Sequence, residues 1–157
     1  MNGFAIAGLD PAPFVPLYGL PDAELAARSV VRMTANAKPG FPCRVTLADA
    51  EPGETVLLLN HKYQPAETPY RGRHAIFVRE GAAEAAHFVD EVPEQLATRL
   101  LSVRAFDADD MMVDGEVIEG RLLADLIERW FADSAVAYLH VHNARRGCFA
   151  ARVDRHF

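Results

Sequence analysis

One amphipathic helix stands alone among short strand-like runs, and that imbalance limits the folds open to this chain. Between residues 119 and 132, Leu122, Leu123, Leu126, Ile127, Trp130 and Phe131 recur at helical spacing and form one broad apolar face. Trp130 and Phe131 therefore read as core residues rather than as a cofactor pocket. Elsewhere the apolar residues come in short runs bounded by turn signals. Strands are expected at 30–33, at 43–47 after the proline-rich turn 38–42, and at 56–59 after Glu51-Pro52-Gly53-Glu54. The second and third of these are expected to pair as a hairpin. Further strands are expected at 75–78 and 102–106, with short helices from Asp22 to Arg28 and from Pro93 to about Leu101. Asp114-Gly115 has the chemistry of a two-residue hairpin turn. Helices and strands do not alternate regularly, which points to an α+β fold. It would be a mainly antiparallel sheet carrying two or three helices, in a single domain spanning 1–157.

Two stretches resist regular structure. Residues 8–21 carry Pro11, Pro13, Pro16 and Pro21, so an extended segment wrapping the domain is expected there. Residues 60–74 are polar and aromatic, with two tyrosines and two histidines, and read as a long loop suited to a lid or to a solvated excursion. Residues 81–91 read as an acidic surface connection.

Composition excludes several classes of function. A formal charge of −6 argues against nucleic acid, whose binding requires Lys and Arg to neutralise phosphates. No apolar run approaches a membrane span, and residues 1–6 lack the basic-then-apolar pattern, so a secretory signal is not expected. Two cysteines, Cys43 and Cys148, suit a reducing cytoplasm better than a disulfide framework.

Chemistry concentrates at the C-terminus. Residues 136–142 and 148–153 read as the strands of a β-hairpin, with Gly147 closing the turn. Alternation places Val136, Tyr138, His140 and His142 on one face, and Cys148, Ala150, Arg152 and Asp154 on the matching face of the return strand. The simplest register sets His142 opposite Cys148, His140 opposite Ala150 and Tyr138 opposite Arg152, leaving space for a small ligand at Ala150. Three uses of this face follow. Cys148 would serve as nucleophile or ligand, His142 as its base or pairing partner and His140 as an acid/base or orienting group, with Arg152, Asn143 and Tyr138 holding a small anionic molecule beneath the 60–74 loop. The arginines of the turn, Arg145 and Arg146, would join that anion clamp or stay solvated. Alternatively, His140, His142 and Cys148 would bind a metal. In the third case the hairpin is structural and the protein is a non-catalytic interaction module, with residues 8–21 and 60–74 as contact surfaces. Homo-oligomerisation is open, and the sequence identifies no cofactor.

Other candidates are weaker. Asp107, Asp109 and Asp110 begin like a calcium loop, which then fails because Met112 and Ile118 stand where Gly and Glu are required; an acidic turn is the better reading, with a looser Mg²⁺ site as the alternative. Cys43 lies on the face of Val45 and Leu47 and reads as core, or else as a neighbour of Cys148. Glycine-rich phosphate loops, a serine nucleophile elbow and paired zinc cysteines are absent from the sequence.

Several segments together resemble a bacterial family known only as domain of unknown function 1203. They are Gly8-Leu9-Asp10-Pro11, Lys38-Pro39-Gly40-Phe41-Pro42-Cys43-Arg44, Phe77-Val78-Arg79, Ala105-Phe106-Asp107, His140-Val141-His142-Asn143-Ala144, Gly147-Cys148-Phe149-Ala150 and Asp154-Arg155. The resemblance spans essentially the whole chain and implies a bacterial single-domain protein. It carries no activity, substrate or catalytic residue.

Overall fold

The computed structural model describes residues 3–157. A six-stranded antiparallel sheet forms its centre. It is built from β1 (Gly3–Ala7), β5 (His87–Val89), β6 (Leu100–Phe106), β7 (Met112–Glu119), β8 (Tyr138–Asn143) and β9 (Phe149–His156), in the order β5-β1-β9-β8-β6-β7. A smaller antiparallel sheet has the order β2-β3-β4, formed by β2 (Val31–Thr34), β3 (Thr55–Gln64) and β4 (Gly72–Arg79). The helices are α1 (Asp22–Ala27), α2 (Glu94–Ala97) and α3 (Leu123–Phe131). The architecture is the α+β class expected, with its C-terminal hairpin in place.

The amphipathic helix does what its spacing requires. Leu123, Leu126, Ile127, Trp130 and Phe131 of α3 pack on Leu101, Val103, Leu139, Val141 and Val153 of the large sheet. Leu122 departs from the pattern: it belongs to a 3₁₀ turn, Gly120–Leu122, that leads into the helix. Arg155 closes the other end, donating to the Phe131 carbonyl at 2.8 Å while its guanidinium lies 4.6 Å from the Phe131 ring. A second core fills the small sheet, where Leu57, Leu59, Ile76 and Val78 meet Leu25, Val45 and the fully buried Cys43. The proline-rich segment covers this core with Leu9, Leu17 and Tyr18, as an extended wrap holding one 3₁₀ turn, Val15–Leu17. Gly8 makes the wrap possible: a Cβ there would stand 1.9 Å from the Val45 carbonyl oxygen.

Several local expectations fail, each for a physical reason. Residues 43–47 form no strand and do not pair with 56–59. They make a tight loop with Leu47 in the left-handed region (φ 52°), and the Cys43 sulfur accepts the Thr46 and Arg79 amides. The 60–74 segment is not a long loop either. β3 runs on to Gln64 and β4 starts at Gly72, with a bulge between His61 and Gln64, so polar residues occupy strand positions that a search for apolar runs passes over. The helix expected from Pro93 shrinks to the four residues of α2. Asp114 and Gly115 lie inside β7, while the turn before it is made by Asp107, whose carboxylate accepts the Asp109 and Met111 amides. The 81–91 connection contains β5, which pairs with β1.

Candidate functional site

The C-terminal hairpin keeps the expected parity but slides by two residues. His140 faces Arg152 and Tyr138 faces Asp154, instead of Ala150 and Arg152. A bulge between Val141 and His142 then sets His142 opposite Phe149, not Cys148. Because of the extra residue, Ala150 joins Ala151 and Val153 in the core under α3, and Phe149 crosses to the imidazole side. The space anticipated beside His140 is therefore filled by a phenyl ring.

That face is the contact between the two sheets. Tyr63 of β3 stacks on Phe149 (centroids 5.8 Å apart) and meets His142 edge-on at 4.9 Å. The segment expected to cover the hairpin does so, as a strand. His140 is 3 % exposed, lies about 5 Å from the rings of Phe106, Tyr138 and Phe149, and has no partner for Nδ1 among the described residues. Burial, reinforced by His142, pushes its pKa down to about 3. His142 is 1 % exposed, and burial lowers its pKa to about 4. Its Nδ1–H donates to the Gly147 carbonyl at 2.9 Å, which leaves Nε2 to accept from Arg104 at 3.4 Å. With both nitrogens engaged, His142 is held neutral as a brace for the turn.

Tyr138 belongs to the same layer. Its hydroxyl donates to Asp110 at 2.6 Å and accepts from Gln64 at 3.0 Å, and its pKa is pushed up to about 12 by burial first and the Asp110 carboxylate second. Arg152 lies 3.9 Å over the Tyr138 ring and bonds Asp154 at 2.9 Å. Its charge is thus already matched.

Cys148 leaves this layer and turns into a cleft of about 550 Å³ at the mouth between the sheets. Asn143, Arg145 and Arg146 line the cleft beside it, and Leu58 and Phe77 provide apolar wall. The structure therefore brings Cys148 and Asn143 together with the turn arginines, and sets His140, His142, Tyr138 and Arg152 apart from them. Among the described residues no three His, Cys, Asp or Glu side chains gather in a metal-binding arrangement. The His140/His142/Cys148 set is split by the bulge.

The residue not anticipated is Arg44. It is 1 % exposed, and all three guanidinium nitrogens are directed: Nε donates to the Phe149 carbonyl at 2.7 Å, Nη1 to the Pro42 carbonyl, and Nη2 to Cys148 Sγ at 3.1 Å. Asn143 Nδ2 approaches the same sulfur at 3.5 Å. No carboxylate pairs with Arg44, Arg145 or Arg146 among the described residues, whereas Arg99 at the cleft edge bonds Asp49 at 2.9 Å. Burial lowers the pKa of Arg44, opposed by the neighbouring Cys148. Residues 43–47 carry no local signal for this burial, because strand alternation sets Arg44 on the face opposite Cys43 and Val45.

The family model described as protein of unknown function (DUF1203) matches residues 40–155. The chain belongs to this family. The match takes in Arg44, the cleft and the hairpin through Arg155, while Gly8-Leu9-Asp10-Pro11 falls outside it. No curated protein and no solved structure matches the chain. In this DUF1203 protein no helix among the described residues is long and apolar enough to cross a membrane.

Proposed function

We propose that this DUF1203 protein binds a small anionic molecule in the cleft at the hairpin turn. One observation carries the reading: three arginines without carboxylate partners among the described residues, Arg44, Arg145 and Arg146, line a single concavity in a chain whose formal charge is −6. Guanidinia that no carboxylate neutralises draw an anion into the concavity, since Arg forks match carboxylate and phosphate oxygens. Arg44 and Asn143 fix the floor, Arg145 and Arg146 supply charge at the rim, and Leu58 and Phe77 favour a ligand with some apolar body. His140, His142 and Tyr63 would serve as the rigid layer that keeps the turn in place.

Calorimetric titration with phosphate and with a series of small mono- and dicarboxylates tests this. Binding of at least one anion is expected, and the double substitution Arg145→Ala/Arg146→Ala should weaken it by about tenfold or more, the loss of two charge-assisted hydrogen bonds. Equal affinity in the variant would remove the turn from the site. Absence of heat or thermal stabilisation across the whole series would overturn the proposal.

A further inference from the structure

We infer, resting on the anion-binding reading of this cleft, that Cys148 is its nucleophile and that its substrates are small carboxylates bearing an electrophilic carbon. The ground is the pairing of Arg44. A buried guanidinium needs an anion beside it, because an apolar interior does not replace the hydration that a lone charge loses. Two of Arg44's partners are neutral carbonyls, and the third is the Cys148 sulfur. Arg44 Nη2 has only donors to offer, so the sulfur it meets at 3.1 Å is an acceptor, and the Asn143 amide lies 3.5 Å from the same sulfur. A thiolate satisfies both the donors and the charge. Cys43 makes the contrast: fully buried, its sulfur takes only backbone amides and faces no cleft.

Charge also selects the substrate. In the reaction the sulfur lone pair forms an S–C bond while the leaving group departs with the electrons of its own bond to carbon. No base is required, which agrees with His142 having both nitrogens engaged. The sulfur becomes neutral in this step, and Arg44 loses its counter-charge. A carboxylate carried by the substrate restores that charge within the cleft, and Arg145 and Arg146 draw it in.

Alkylation with two probes of the same shape tests this: neutral iodoacetamide and anionic iodoacetate, with Cys148 and Cys43 resolved by mass spectrometry and glutathione as reference. With iodoacetamide at pH 7, Cys148 should react about tenfold faster than glutathione, at a rate nearly flat between pH 6 and 8. Its iodoacetate-to-iodoacetamide rate ratio should exceed that of glutathione about fivefold or more. Arg44→Met should slow both probes. Arg145→Ala/Arg146→Ala should bring the ratio down toward that of glutathione. The flat pH profile of the unaltered protein decides the question even if Arg44→Met does not fold. A slow iodoacetamide rate that climbs with pH like glutathione's overturns the nucleophile and leaves anion binding standing. A fast iodoacetamide rate with a glutathione-like ratio overturns the substrate class, and with it the anion reading of the cleft.

Discussion

At the scale of single residues, the imidazoles of His140 and His142 have been diverted from chemistry to packing. Both are neutral at pH 7, with pKa values held near 3 and 4 mainly by burial. An unfolded histidine takes up a proton near pH 6.5, so the stability given by these two neutral rings is complete above that pH. It is lost as pH falls from about 6.5 toward their folded values. Chemical denaturation should therefore show a loss of roughly 2 kcal/mol per imidazole between pH 7 and pH 5. His140→Phe should cancel about half of that pH dependence, and it removes the unmet Nδ1. A pH profile unchanged by the substitution would mean that His140 is not the buried neutral ring described. Arg44 shows the opposite limit of legibility. Its identity was visible, yet nothing in residues 43–47 indicated that its three donors would reach across to Pro42, Phe149 and Cys148. Such partners lie up to 105 residues away in sequence, and local pattern carries no information on them.

Among the elements, the hairpin bulge does most to define the site. Alternation correctly kept His140, Tyr138 and Arg152 on one face, because strand parity is a local property. It could not register one extra residue, because Phe149 and Ala150 are both apolar and either can face the core. The bulge exchanges them, sending Phe149 between the sheets. Phe149→Ala should then cost about 3–5 kcal/mol in denaturant unfolding, the range for a buried aromatic. A cost under about 1 kcal/mol would place the ring outside the sheet contact. The turn has its own requirement: Gly147 sits at φ 77° with open space around its Cα, so Gly147→Val is strained by backbone alone. Destabilisation of about 1–2 kcal/mol is expected. Anion affinity should fall as well, since the Gly147 carbonyl and the adjoining Cys148 are positioned by the same turn. The long strands β3 and β4 escaped detection for a related reason: their polar halves are held by pairing with each other and by the bond from Gln64 to Tyr138, with Asn60 and Arg73 exposed, rather than by an apolar pattern.

For the whole molecule, the helix, the two sheets and the cleft form a continuous sequence of consequences. The apolar face of α3 covers one side of the large sheet, so the small sheet must cover the other. The aromatic layer of Tyr63, His140, His142 and Phe149 is that second contact. The two sheets do not close fully at the hairpin turn, and the gap is where Arg44, Arg145, Arg146 and Cys148 meet. The α+β class was legible from the spacing of elements, but a cleft between two sheets depends on their relative placement, which no single segment encodes. The central claim is that this gap is an anion site. Amide chemical-shift mapping during a titration with sulfate tests it most directly, because it reports where the anion sits as well as whether it binds. Saturable shifts confined to Arg44, Asn143 and residues 145–148, abolished by Arg145→Ala/Arg146→Ala, are the predicted result. Shifts that stay linear with sulfate, or that centre on Arg152 instead, would contradict it.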